Sequence, residues 1–242
     1  MSNQNNDNFL EIFPADTKIG ELLSAVPAIA GMFSPKAATY LTKRRIDSLL
    51  AVTRAANEKL NRAGITEQER QFCALKLGIP LIESASLEED PKLQELWANL
   101  LANLLNPAYT DEIRTLFIDI IKKLTPLDAA VLNAYGNNKL NNYLPFRFVE
   151  TEDGYCKSEL WTSDGYIEID TNKARESFLV LRSLSLMDNI KTSSSVFSGG
   201  GKILSQSDYY LTGLGHSFFK ACLVDAGQYT KSAAFQKSSP DK

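Results

Sequence analysis

An apolar stripe fenced by two prolines constrains this chain more than any other feature. Leu93, Leu96, Trp97, Leu100, Leu101, Leu104 and Leu105 recur at steps of three and four, between Asp90-Pro91 and Asn106-Pro107. Such steps put all seven side chains on one broad helix face, and only burial satisfies a face of that kind. Asp90 stands at the N-cap, Pro91 sits where its missing N–H costs nothing, and Asn106-Pro107 ends the run. The spacing predicts a helix over 91–105. Ile113, Leu116, Phe117, Ile120, Ile121 and Leu124 predict another over 112–124. Thr125-Pro126, with Asp128 at the third position, opens a third that buries Leu127, Ala130, Val131, Ala134 and Tyr135 and stops at Gly136. Connections this short make the three helices neighbours, packed on one another at the centre of the fold.

The flanking segments read with less force. Ile46, Leu49, Leu50, Thr53, Ala56 and Leu60 mark a long helix ended by Gly64, and Thr66 with Glu69 forms a capping box for the next, through Leu75, Ile79 and Ile82. After Gly136 the pattern changes to strand-type residues at 146–149, 156–161 and 166–169, with turns at Asp153-Gly154 and Asp164-Gly165. A helix over 172–187, extended stretches at 190–197 and 203–211 around Gly199-Gly200-Gly201, and a last helix over 213–225 complete the order. The expected fold class is mainly α with a small β component: an N-terminal helical bundle followed by a winged-helix-like C-terminal part. The expected domains are a helical one over 16–136 and a winged-helix-like one over 137–227, between loose tails at 1–15 and 228–242.

Composition removes several function classes. Hydrophobic residues make up 44% of the 242 and charged residues 23%, so the bulk of the chain can build a core. The net charge of −3 supplies no global basic field for nucleic acid. Cys73, Cys156 and Cys222 are scattered and odd in number, which argues against a disulfide framework and for reduced thiols in a cytoplasmic protein. No uncharged apolar run approaches the roughly 20 residues of a spanning helix.

The stretch Glu83-Ser84-Ala85-Ser86-Leu87-Glu88-Glu89-Asp90, followed by Leu93-Gln94-Glu95-Leu96-Trp97-Ala98-Asn99-Leu100-Leu101-Ala102-Asn103, resembles the signature of the Abi-alpha (abortive infection alpha) family, in which an acidic turn precedes a Trp-Ala-x-Leu-Leu-Ala helix. Thr125-Pro126-Leu127 is similar to the family's next helix start. Leu181, Leu184, Leu186 and Met187 stand where the family has a Leu-x-x-Leu-Gly-Leu-Ile end, with Ser185 in place of the usual Gly. Leu211-Thr212, Leu214-Gly215, Phe218 and Cys222 match its closing pattern. The signature residues are Glu88, Asp90, Leu96, Trp97, Asn99, Leu100, Leu101 and Asn103. The resemblance implies abortive phage defence and carries over no catalytic residues.

Each candidate has a plain structural reading beside the functional one. Glu88, Glu89 and Asp90 could hold a metal, but with no His nearby they are expected to complement the N-terminus of the next helix. Trp97 could anchor a partner but is expected in the core; Asn99 and Asn103, four residues apart, and the nearby Asn106 could face a partner or cap neighbouring loops but are expected in solvent. His216, the single histidine, has no acidic orienter, and Cys222 lies too far along to share its helix face. No cysteine–histidine spacing suits zinc. Gly199-Gly200-Gly201-Lys202 fails as a phosphate loop, since Val196 and Ile203 replace required residues, and is expected at a wing tip. Between 168 and 208 five basic residues (Lys173, Arg175, Arg182, Lys191, Lys202) meet five acidic ones (Glu168, Asp170, Glu176, Asp188, Asp208), a balance that favours protein over DNA contact.

The amphipathic stretch 17–35 is expected to pack more loosely than the central helices. Leu22, Leu23 and Val26 on it, with the basic run Lys43-Arg44-Arg45, are the candidates for contact with a partner or a membrane surface. The expected function is therefore non-enzymatic phage defence through protein or membrane contacts, without cofactor or metal. The partner would be an unknown protein, a phage component or another copy of the chain. The alternative is a winged-helix transcriptional regulator that binds DNA.

Overall fold

A computed structural model describes residues 35–137, 146–150, 156–162, 165–190, 197–198, 201–202 and 208–225. The expected tails and residues 17–34 of the amphipathic stretch 17–35, with Leu22, Leu23 and Val26, lie outside them. Among the described residues the chain divides into two compact units, 35–123 with 221–225, and 124–220.

The first unit is helical. It contains α1 (Pro35–Arg62), a single 3-10 turn (Glu67–Glu69), α2 (Leu75–Ala85), α3 (Pro91–Leu105) and α4 (Thr115–Ile121). The fenced stripe is α3, with the predicted bounds and Asp90 capping the backbone N–H groups of Lys92 and Leu93. Leu49, Val52, Ala56 and Leu60, one face of α1, are buried, and α1 packs along α3. α1 ends in a helix-terminating pair of reverse bonds, Ile65 N–H to Leu60 O and Gly64 N–H to Asn61 O, both 3.0 Å. That motif needs a left-handed residue, and Gly64 supplies it at φ 73°.

Two expectations fail here. The Thr66–Glu69 capping box forms, but it caps only the 3-10 turn, and Arg70 beyond it is extended. The reason is tertiary. Gln71 donates its backbone N–H to Leu105 O at 3.0 Å and its side-chain amide to Leu104 O and Asn106 O, so this segment caps the end of α3 instead of continuing a helix. α4 is shorter than the predicted 112–124, because Arg114 is extended and gives no side-chain cap, and Leu116 is exposed.

The second unit holds α5 (Pro126–Asn137), β1 (Phe146–Glu150), β2 (Cys156–Thr162), β3 (Gly165–Asp170), α6 (Thr171–Ser183), β4 (Met187–Ile190), β5 (Phe197–Ser198), β6 (Gly201–Lys202), β7 (Asp208–Leu211) and α7 (Gly213–Cys222), whose last two residues belong to the first unit. The three predicted strands form the antiparallel sheet β1-β2-β3, with Leu160 opposite Phe146 and Ile167. β4 pairs with β7, Met187 opposite Leu211, and β5 pairs with β6, Phe197 opposite Lys202. α5 opens this unit and packs on α6. It does not stop at Gly136. The helix runs on to Asn137, and the glycine makes room for the ring of Phe219, which a Cβ would strike.

Phe178 on α6 organises the interior. It stacks on Tyr209 at 4.1 Å and meets the edge of Tyr135 at 6.0 Å. α6 closes with the same motif as α1: Leu186 N–H to Leu181 O at 3.0 Å and Ser185 N–H to Arg182 O at 2.9 Å. Here the left-handed residue is Ser185, φ 58°, at the place where the resembled pattern has Gly. Thr212 then caps α7 by accepting from Gly215 N–H, and Gly215 lies so close under Leu186 O that a Cβ would collide with it.

Candidate functional site

The acidic turn and α3 concentrate most of the residues singled out by sequence. Glu88 accepts from Asp90 N–H at 3.0 Å, and Gln94 returns an amide bond to Glu88 O at 2.8 Å. Glu89 takes Arg44 through both carboxylate oxygens, one of them 3.0 Å from Arg44 Nε. The hydrogen bond from Arg44 and then its charge hold the Glu89 carboxyl below the usual range. Arg45 Nε donates to Ser86 Oγ at 3.0 Å, and Ser86 Oγ donates to Glu83 O. The acidic cluster thus caps α3 and binds α1. Of the basic run offered as a contact surface, Arg44 and Arg45 are spent on this turn, while Lys43 is exposed.

Inside α3, Trp97 is 1% exposed, and Leu96, Leu100 and Leu101 are buried with it. The expectation for the asparagines is overturned: Asn99 is 3% exposed and Asn103 0%, and Asn106 is also buried. α3 is enclosed on more than its apolar side, and the end of α7 covers the face that periodicity assigned to water. Asn99 Nδ2 donates to Cys222 O at 3.1 Å and Asn103 Nδ2 to Ala221 O at 3.0 Å. A helix leaves its last four carbonyls without intrahelical partners, and two are met here by side-chain amides. One signal pointed that way: asparagine is a poor choice mid-helix unless its side chain has an appointment elsewhere.

Sequence reasoning missed the ionic rim of this junction. Lys59, on α1, has a side chain 3% exposed and bonded to Glu95, with Asp225 at 3.9 Å; Arg62 reaches the same Asp225 at 3.0 Å. Asp128 caps its helix with Thr125 as expected, but its burial in the second unit and its tie to α6 were not read. Asp128 accepts from Thr125 N–H at 2.7 Å and Thr125 Oγ1 at 2.8 Å, and its other oxygen takes Ser177 Oγ on α6 at 2.5 Å.

Among the described residues the two thiols are poorly placed for nucleophilic chemistry. Burial pushes the Cys222 thiol well up, and pushes Cys73 up to about 11. A thiol so shifted is a weak nucleophile at neutral pH. His216 is exposed, whereas Cys222 is buried. Gly201-Lys202 is strand β6, paired with β5. Among the described residues no three His, Cys, Asp or Glu side chains gather as a metal site, and no helix is long and apolar enough to cross a membrane.

On its exposed side α6 shows Lys173, Arg175 and Glu176 in its first half, then Leu179, 66% exposed, and Val180. Sequence comparison agrees with the signature. A family model described as abortive infection alpha matches residues 46–222, more than half of the chain. No curated protein and no solved structure matches.

Proposed function

The chain belongs to the abortive infection alpha family, and from that premise we propose that it serves phage defence through protein contacts rather than by catalysis. One observation carries the reading: the signature's carboxylates and asparagine N–H groups serve structural hydrogen bonds. Asp90 caps α3, Glu88 bonds the turn, and Asn99 and Asn103 hold the end of α7. Binding energy for a partner then has to come from surface groups. α6 offers an apolar pair, Leu179 and Val180, with Lys173 and Arg175 on the same helix, and buried apolar anchors dominate protein interfaces. The partner, whether host protein or phage component, is expected to present an apolar contact to this helix.

The order α5, sheet, α6, hairpin, α7 supports a winged-helix-like description of the second unit, and with it the reading as a DNA-binding regulator. An apolar centre on α6 and balanced charge over 168–208 favour the protein partner. Replacing Leu179 and Val180 by Asp tests this. Both are exposed, so the melting temperature is expected to hold, while plating assays lose phage protection. Protection left intact, or sub-micromolar, salt-steep binding to duplex DNA by the unsubstituted protein, sinks the proposal.

A further inference from the structure

The rim around the end of α7 combines bonds of two kinds. Inside, Asn99 and Asn103 hold the carbonyls of Cys222 and Ala221 with neutral amides, out of reach of solvent. Outside, Asp225 is tied by Arg62, whose side chain is 60% exposed, and lies near Lys59. The buried Lys59 is bonded separately to Glu95 on α3. If Asp225 leaves, Lys59 therefore keeps a carboxylate, and Arg62 returns to water where most of it already sits. Neither cation is stranded. A buried ammonium without a second partner would weld residues 221–225 in place, because removing one member of a buried pair leaves an uncompensated charge.

We infer that residues 221–225 form a strap that detaches from α1 and α3 as a unit, with Asp225 as its catch. The catch is ionic and partly exposed, so dissolved salt weakens it. The amide bonds behind it are insensitive to salt but are bonds that water replaces once it gains access. Detachment uncovers Asn99 and Asn103, two neighbouring amides that the closed form hides. Those amides are then free to meet other acceptors, so the strap regulates what α3 presents.

Hydrogen exchange measured by mass spectrometry on the full chain tests this without any substitution, at about 0.05 M and about 0.5 M salt. Amides of 221–225 are expected to exchange roughly fivefold faster at the higher salt, the factor for a surface ion pair near the top of its usual range. Those of α1 and α3 should not change. Asp225→Asn should exchange fast in the strap at both salt levels, with no further response to salt. Exchange in 221–225 that ignores both salt and Asp225→Asn overturns the inference. So does exchange that rises in step with α1 and α3, since the strap would then open only by unfolding of its unit.

Discussion

The two units each bury one polar junction, and the junctions are built with opposite chemistry. In the first, amide donors from Asn99 and Asn103 meet the last carbonyls of α7. In the second, the carboxylate of Asp128 accepts at the first turn of α5 and is held from across by Ser177 of α6. A helix presents partial positive charge at its N-terminus and partial negative charge at its C-terminus. Donors without charge therefore suit the one site and an acceptor with charge suits the other. What decides the residue type is which end of a helix is being buried.

Exchanging the chemistry is the sharpest way to break this pairing. Asn103→Asp would set a buried carboxylate against carbonyl oxygens, with an expected loss of about 3 kcal/mol or more at neutral pH. Burial and the facing acceptors raise that carboxyl's folded pKa above the unfolded value near 4. The variant should then be relatively most stable below pH 4 and lose stability as pH rises through the folded pKa; denaturant melts across pH would show it. A variant as stable at pH 7 as the parent would mean that the junction is solvated.

The converse change, Asp128→Asn, keeps shape but removes the charge and turns an acceptor into a donor. About 1.5–3 kcal/mol should be lost, the range for hydrogen bonds to charged groups, read as a lower urea midpoint. A neutral outcome would show that the N-terminal polarity of α5 plays no part.

The smallest effect compares two helix ends. α1 and α6 close with the same bonds, but Gly64 fills the left-handed position in one and Ser185 in the other. Ser185→Gly should stabilise the chain by about 0.5–1 kcal/mol, since a side chain is strained in that conformation. A loss instead would assign the serine a role that its backbone angle hides.

Legibility from sequence followed the range of the forces involved. The bounds of α3 could be read because Asp90-Pro91 and Asn106-Pro107 act within one turn, and β2 and β3 because strand-type residues flank the sequence signal Asp164-Gly165. The long helix ended by Gly64 was read on the same local ground. The extended segment after Glu69 was illegible, since Gln71 answers to the end of α3 and not to its own neighbours. Burial of Asn99 and Asn103 was hidden for the same reason. A stripe says which face must be covered, and nothing about whether a residue more than a hundred positions away will cover the rest. Within the candidate site, the signature located the right helix, yet its asparagines were assigned to water and Lys59 was passed over, because both depend on where residues 221–225 arrive.

Gly136 shows how such distant contacts shape the variation a lineage can accept. Judged by its own helix, alanine should be the better residue there by about 1 kcal/mol. The Phe219 ring occupies the space that a methyl group would need. A single-step improvement in helix propensity is thus closed off, and position 136 can enlarge only after position 219 has shrunk. The order in which changes arise, and not merely their sum, is written into the contact between these two residues.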